Sequence, residues 1–442
     1  DAFDMQEGKV NSARIIDGME IKGVLGKLHV HADHIDLAKG TARFNKIDLS
    51  DSDLHIYMHD TTTVEDTSKI HWKLLLDKAN IKKVGFTLAM SDYNIRVRTF
   101  ASRATLTKGI LDLAGSEYKV ERFELANSRL SYDGDTAKAQ SGFDPFHIVL
   151  DHLNGVFENV AYRGMDMKLK IHVKEFNGQE RSGLAIQQLI GNFENDTSAF
   201  TMPQMFLKTM DSEIRLSAIV PRSSLDKNPK ANMDVLLSGV IGKPDLLLLA
   251  GPVLKSVSNA FPDQPLTFST TVDGNFNAMT LRMKADLLGV FSLDASGLLT
   301  NVGDSIRRAG DFRVNAEVGN LNFFLSSLPT KKRDNYHIPS GIKLVGNASL
   351  KKGTYNADFI MHEGEGSANL LATINPGHKT YEVNMLIDNL QMAHFMPKDS
   401  LYSLSASLCA EGKGFDPYAA STWTKVNGHL SHVHYGTSSI SD

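Results

Sequence analysis

Met165-Asp166-Met167-Lys168-Leu169-Lys170-Ile171-His172-Val173-Lys174 alternates without a break: five apolar side chains at odd positions, and Asp, Lys, Lys, His and Lys at even ones. Successive side chains of an extended chain point to opposite faces, so this stretch predicts a strand with one dry and one wet face. The same period governs Leu281–Leu287, Phe312–Val318 and Tyr381–Met385. One-face-wet strands are usually antiparallel, because parallel sheets tend to be covered on both sides. Turn signals separate the runs: Asp133-Gly134-Asp135, Asn154-Gly155, Asp273-Gly274-Asn275, Gly353 and Asn427-Gly428. Such pairs favour the positive φ angles of tight hairpins. The chain reads as a long meander.

Helical signals are few. Short helices are expected near 245–260, 321–328 and 390–396; the last two run into Pro329 and Pro397, a natural stop. The expected division is 1–240, β modules alone, and 241–442, β modules with these short helices between them.

Three internal matches point to repetition. Phe44-x-x-Ile47-x-Leu49-x-x-Ser52-x-Leu54-x-Ile56 has the spacing of Val120-x-x-Phe123-x-Leu125-x-x-Ser128-x-Leu130-x-Tyr132. Ile81, Val84 and Phe86, then Ser91, Tyr93 and Ile95, read as an intermediate copy with two extra residues. Gly142-Phe143-Asp144-Pro145 recurs as Gly414-Phe415-Asp416-Pro417, each followed by Asn-Gly and a Tyr (Tyr162, Tyr435). Phe268, Phe276 and Leu281 match Ile342, Leu350 and Tyr355 at an offset of 74. Together they favour a one-dimensional stack of β units over a closed domain.

The chain has 442 residues, 47 Lys+Arg against 51 Asp+Glu, 42% hydrophobic and 22% charged residues. That composition is globular rather than disordered. A net charge of −4 excludes the basic excess a nucleic-acid binder needs. Cys409, the single cysteine, rules out an internal disulfide framework and a Cys-based zinc site. No run of 18 apolar residues is present to make a membrane-spanning helix. Beginning at Asp1 without Met and stopping in mid-pattern, the sequence reads as a piece of a longer protein.

Strand-plus-turn units of about thirteen residues give roughly thirty strands, a sheet on the order of 140 Å long. Its apolar face needs a cover or a use, since large exposed apolar patches are rare. The fold expected is all-β: a long repetitive antiparallel sheet curled into an elongated, U-shaped, taco-like groove. Floor candidates are Leu54, Ile56, Phe123, Leu125, Leu130, Met167, Leu169, Ile171, Leu281, Met283, Val314, Ala316, Val383 and Met385.

The module order resembles the TamB family of the AsmA-like group. Asn320 to Pro329 precedes a Gly-rich strand unit at Pro339 to Ile374. Asn389 to Pro397 follows, then Gly412 to Pro417 and Tyr435-Gly436; Ile21 to Tyr57 looks like the early part of such proteins. The resemblance implies a non-enzymatic, bridge-like conduit for phospholipid between inner and outer membrane, supporting outer-membrane biogenesis. It implies a periplasmic location in the cell envelope, an inner-membrane tether absent from this segment, phospholipid acyl chains as cargo and a BamA-type outer-membrane barrel as partner. An extracellular β-repeat adhesin or structural scaffold is the alternative. A glycan hydrolase is disfavoured by 8% aromatic content and the lack of a carboxylate pair.

Other clusters read as solvated faces. His29, His31 and Asp33 with His34, and His432 with His434, have i, i+2 spacing but no third metal ligand set by it. Asp48, Asp51, Asp53 and Asp60 lack a calcium-loop pattern. Lys331-Lys332-Arg333 is a basic loop, and Asn195-Asp196-Thr197 a glycosylation acceptor only outside bacteria. No catalytic, metal or cofactor site is expected.

Overall fold

A computed structural model describes residues 2–11, 19–58, 71–90, 94–140, 142–164, 168–329, 333–416 and 419–441. The protein is all-β, 68% strand and 6% helix. Its strands form one mixed sheet of 24 that is not closed into a barrel. By contacts the chain divides into unit 1, residues 1–219, and unit 2, residues 220–442.

Unit 1 carries β1 (Ala2–Asn11), β2 (Met19–Asp36), β3 (Thr41–Met58), β4 (Lys73–Met90), β5 (Ile95–Asp112), β6 (Glu117–Asp133), β7 (His147–Arg163), β8 (Lys168–Glu180), β9 (Ala185–Ile186), β10 (Gln188–Asn195) and β11 (Ala199–Lys208). β12 (Glu213–Pro221) spans the division. Strands of 17 or 18 residues explain why 24 strands are found where about thirty were expected.

Bulges make that length possible. The three-residue steps in the Phe44 and Val120 patterns looked like interruptions, but β3 and β6 run through them. At the second step stand Asp51 and Asn127, with φ of 53° and 44°. Ser52 Oγ donates to Ser50 O at 2.9 Å, and Ser128 Oγ to Ala126 O at 3.1 Å, closing the two bulges alike. An extra residue shifts the alternation by one, so apolar side chains return to the same face after a step of three.

The intermediate copy needs no insertion. Leu76, Ala79, Ile81, Val84, Phe86 and Leu88 in β4 reproduce the spacing of β3, with Lys83 at φ 55° as the bulge. Of the residues assigned to that copy, Ser91 and Tyr93 lie outside the described residues, and Ile95 opens β5. β3 and β4 pair in parallel, which corrects the expectation of a purely antiparallel sheet. The physical reason is the repeat itself: two copies of one pattern, laid side by side in the same sense, bring every apolar position into register, Phe44 with Leu76 through Ile56 with Leu88.

Asn154-Gly155 and Asn427-Gly428 are not hairpin turns; both lie within strands, β7 and β23 (Trp423–Tyr435). Asn154 is held by bulge chemistry: its Oδ1 accepts from Asn127 N–H at 2.9 Å and its Nδ2 donates to His152 O and Asn177 Oδ1. Gly155 and Gly428 lie opposite Leu125 and Leu408. A Cβ at Gly155 would sit 2.7 Å from the Phe157 ring, so the glycine leaves room for that ring rather than making a turn. The first turn is made just upstream, by Gly142-Phe143-Asp144-Pro145; in the second motif Pro417 lies outside the described residues. Asp144 is buried there, accepting from the N–H groups of Gln140 and Phe146 at 2.9 and 3.0 Å and lying 3.1 Å from His147 Nδ1. The Gln140 bond leads in holding its carboxyl below the ordinary value, against a smaller opposing effect of burial.

Unit 2 is more regular. It holds β13 (Met233–Ile241), β14 (Leu266–Asn275), β15 (Ala278–Leu287), β16 (Phe291–Thr300), β17 (Ala309–Val318), β18 (Ile342–Lys351), β19 (Thr354–Glu363), β20 (Gly366–Asn375), β21 (Thr380–Leu390), β22 (Leu401–Lys413), β23 and β24 (Ser438–Ser441). Helices α1 (Lys243–Leu249) and α2 (Gly251–Leu254), the 3-10 turns Ser258–Ala260 and Asn322–Ser327, and α3 (Met392–Phe395) all fall between strands. Leu390 is still strand, and the Asn322 segment is 3-10 rather than α.

These pieces define a module: a short helical stretch, then four strands. β14 and β15 begin at Leu266 and Ala278, β18 and β19 at Ile342 and Thr354, an offset of 76. The offset of 74 is therefore corrected; Phe276 lies in the turn after β14, while Leu350 lies inside β18. The helical stretches meet the strand ends. Val257, Phe261, Leu287, Val290 and Phe323 make a small buried cluster, flanked by Leu246, Leu254, Leu266 and Phe291.

Candidate functional site

The described floor candidates fall on one apolar face within each unit. In unit 1, Ile21, Ile56, Leu88, Val97, Tyr132 and Ile148 lie side by side across β2–β7. The next row holds Leu54, Phe86, Thr99, Leu130 and Leu150. Two rows further along the strands run through Leu106, Phe123, Phe157 and Val173, and through Ala104, Leu125, Gly155 and Phe176. Leu169 and Ile171 alternate with Val173 on β8 and continue the same face. Met167 lies outside the described residues.

In unit 2 one row runs across nine strands, and the register shifts of β21–β22 and β22–β23 lie to one side of it. Met283 stands beside Ala295, then Val314, Gly346, Phe359, Leu370, Met385, Leu408 and Gly428. Leu281 and Val383 share the parallel row on one side, and Ala316 lies in the row on the other. At about 4.8 Å between strands each row is on the order of 40 Å long, and the outer two are about 13 Å apart. That floor exceeds the few hundred Å² beyond which an apolar patch calls for a use.

Among the described residues the most extensive strand contacts are those of hydrogen-bonded sheet neighbours, and the helical stretches pack at strand ends, around Leu287 in one module and against β22 and Glu363 in the next. Yet most of the well-sheltered side chains belong to the apolar face: Ala79, Val84, Ala104 and Leu153 in unit 1, Met279, Ala285, Ile387 and Ala406 in unit 2. Most floor candidates are half-buried rather than buried. Aromatic rings pair across β6, β7 and β8: Phe123 stacks on Phe157 at 5.9 Å, Phe157 meets Phe176 edge-on at 6.2 Å, and Tyr118 stacks on Tyr162 at 6.1 Å.

The opposite face is ionic. Arg122 pairs with Glu158 at 2.7 Å, Lys174 with Glu158 at 3.1 Å, and Lys284 with Asp294 at 3.4 Å. Clefts of about 610 Å³, beside Lys284, Asp294, Glu317 and Lys343, and about 550 Å³, beside Asp77, Lys108, Glu121 and Lys170, open where these polar positions predominate.

The remaining clusters resolve into local pairs. His29 contacts Asp4 across the β1–β2 ladder, and His31 lies 3.4 Å from Asn45 Nδ2. His432 meets Ser441 Oγ at 3.1 Å, and His434 packs on Tyr402. Burial alone would raise the carboxyl of Asp48, but hydrogen bonds from Asn80 and Lys46 hold it below its ordinary value. Asp53 meets His55 at 3.1 Å. Among the described residues no group of three or more His, Cys, Asp or Glu is arranged to hold a metal. Asp60, Lys331 and Lys332 lie outside the described residues. Asp196 caps its own turn, and hydrogen bonds from the Ser198 hydroxyl and the Ala199 and Ser198 amides hold its carboxyl at about 2.

One notable residue escaped the sequence reading. Glu363, 4% exposed, ends β19 at the place where Leu287 ends β15. The offset of 76 would have revealed it; an offset of 74 hides it.

The sequence matches no protein-family model and no curated protein.

Proposed function

We propose that this chain is a non-enzymatic conduit for phospholipid, of the kind the TamB-like module order implies, with acyl chains lying on the apolar face and headgroups left in water. One observation supports this above others: rows of Leu, Met, Val, Phe, Ala and Gly continue from strand to strand, and the described floor candidates among them are only half-buried. Burying a methylene is worth about 0.8 kcal/mol, so a sixteen-carbon tail faces a penalty on the order of 12 kcal/mol in water. A continuous apolar floor keeps the tail dry at every step. It works by uniformity, since one deep well would trap the cargo. On this reading the protein serves the cell envelope, in a periplasm bounded by an inner membrane that holds its tether and an outer membrane with a BamA-type barrel.

Mass spectrometry of lipid extracted from the purified protein tests the proposal. Phospholipid at one or more molecules per chain is the expected result. Lipid-free protein that also fails to take up lipid from vesicles would point to the scaffold or adhesin instead.

A further inference from the structure

Two successive modules close the same junction with different chemistry. In the first, Leu287 at the end of β15 is fully buried in a cluster with Val257 and Phe261 from the preceding helical stretch and Phe323 from the following one. In the second, the corresponding end of β19 is Glu363, met by His394 of α3, with Glu363 Oε1 and His394 Nδ1 2.6 Å apart. The other carboxylate oxygen, Oε2, is buried without any hydrogen-bond partner. A buried carboxylate oxygen with no donor is costly, because it has surrendered water and gained nothing.

The element over it is slight. α3 has four residues, none of them buried, and its His394 side chain is more than half exposed. It is also tied by a backbone bond from His337 N–H to Phe395 O at 2.8 Å and by packing against β22. A closed arrangement that leaves Oε2 dry and unpaired is poised against one in which water reaches it. At the neighbouring strand ends stand Ile342, Ile387 and Leu390, sheltered apolar-face residues.

We propose that α3 is a hinged flap, held on the strand ends by the Glu363–His394 pair and released to admit a long-chain amphiphile sideways onto the apolar face. The passenger rests on the lipid-conduit reading; the flap itself does not. Opening hydrates Glu363 and uncovers the edge of the floor. In the first module leucine keeps the junction shut.

Hydrogen–deuterium exchange on the whole chain tests this, read at the amides of Met396 and His337, with the Leu328 amide of the Asn322–Ser327 stretch as internal control. His394→Ala removes the latch and is expected to speed exchange of the flap amides at least tenfold. Glu363→Leu, which installs the first module's residue, is expected to slow it several-fold. The control amide stays unchanged in both. Acceleration in both variants, or no change in either, overturns the flap, because an ordinary stabilising ion pair loosens whichever partner is removed. His394 is exposed, so its alanine variant keeps the test alive should Glu363→Leu fail to fold. Uptake of a fluorescent phospholipid from vesicles, measured alongside, separates the two ideas. Opposite exchange effects without any uptake leave the flap standing and end the lipid reading; uptake with unaltered exchange does the reverse.

Discussion

Ser52 and Ser128, 76 residues apart, make the same bond: each hydroxyl donates to the carbonyl two residues before it, across a residue of positive φ. Ser52 Oγ also accepts from Gly26 N–H at 3.0 Å on the neighbouring strand. The bulges keep β3 and β6 whole over 18 and 17 residues while leaving their apolar side chains on one face.

Ser52→Ala removes a donor to one backbone carbonyl and the acceptor of one amide. It is expected to cost about 1–3 kcal/mol, and Ser128→Ala about 1 kcal/mol, in urea unfolding. Equal stability of Ser52→Ala and the wild type would mean that the hydroxyl does not close the bulge.

Lys83, exposed at φ 55°, tests the backbone instead. Lys83→Gly removes the Cβ penalty of the left-handed region and is expected to be neutral or stabilising by about 0.5 kcal/mol. Lys83→Val is expected to lose about 1–2 kcal/mol, since β-branched residues tolerate that region worst. A reversed order would place the bulge elsewhere.

Leu287 and Leu281 lie on the same strand and the same face, but only Leu287 belongs to the buried cluster. Leu287→Ala is expected to cost about 3 kcal/mol, as a cavity in a closed core does. Leu281→Ala, on the open floor, is expected to cost about 1 kcal/mol, the loss of partial burial only. Comparable losses at both sites would show that the floor is a filled core and end the groove.

Met283→Asp and Leu169→Asp put a charge on the floor of each unit. Both are expected to keep the far-ultraviolet circular dichroism of the sheet and to abolish lipid carriage past the substituted position. Arg282→Asp, on the opposite face, is the control and is expected to carry lipid normally. Undiminished carriage in both floor variants would remove the apolar face from the path.

Asp196 and Asp304 have carboxyls held at about 2 by hydrogen bonds, from Ser198 and Ala199 in one and from Arg307 and Ile306 in the other. A folded value below the unfolded one of about 3.9 stabilises the turn above pH 4. That contribution is lost as pH falls from about 4 through 2. Exchange of the Ser198 and Ala199 amides should therefore accelerate over this window beyond the intrinsic trend. In Asp196→Asn the extra acceleration should vanish; its persistence would assign the effect to other groups.

The alternation of polar and apolar residues, a property each strand carries in its own dozen residues, told which side chains share a face, and Leu281, Met283, Val314 and Met385 lie on one face as their parity requires. Repetition was legible too, because the same local chemistry recurs. Tertiary structure decided what depends on distant partners. Asn154-Gly155 has the composition of a turn, yet Asn127 and Asn177 on neighbouring strands hold it in β7. The parallel pairing of β3 with β4 comes from matching two consecutive copies in register, which neither strand's own residues specify. Whether the apolar face is covered, and that Glu363 is buried where leucine stood one module earlier, are likewise questions of what lies across space. Period two is set by the covalent geometry of an extended chain; burial and register are set by neighbours the local sequence does not contain.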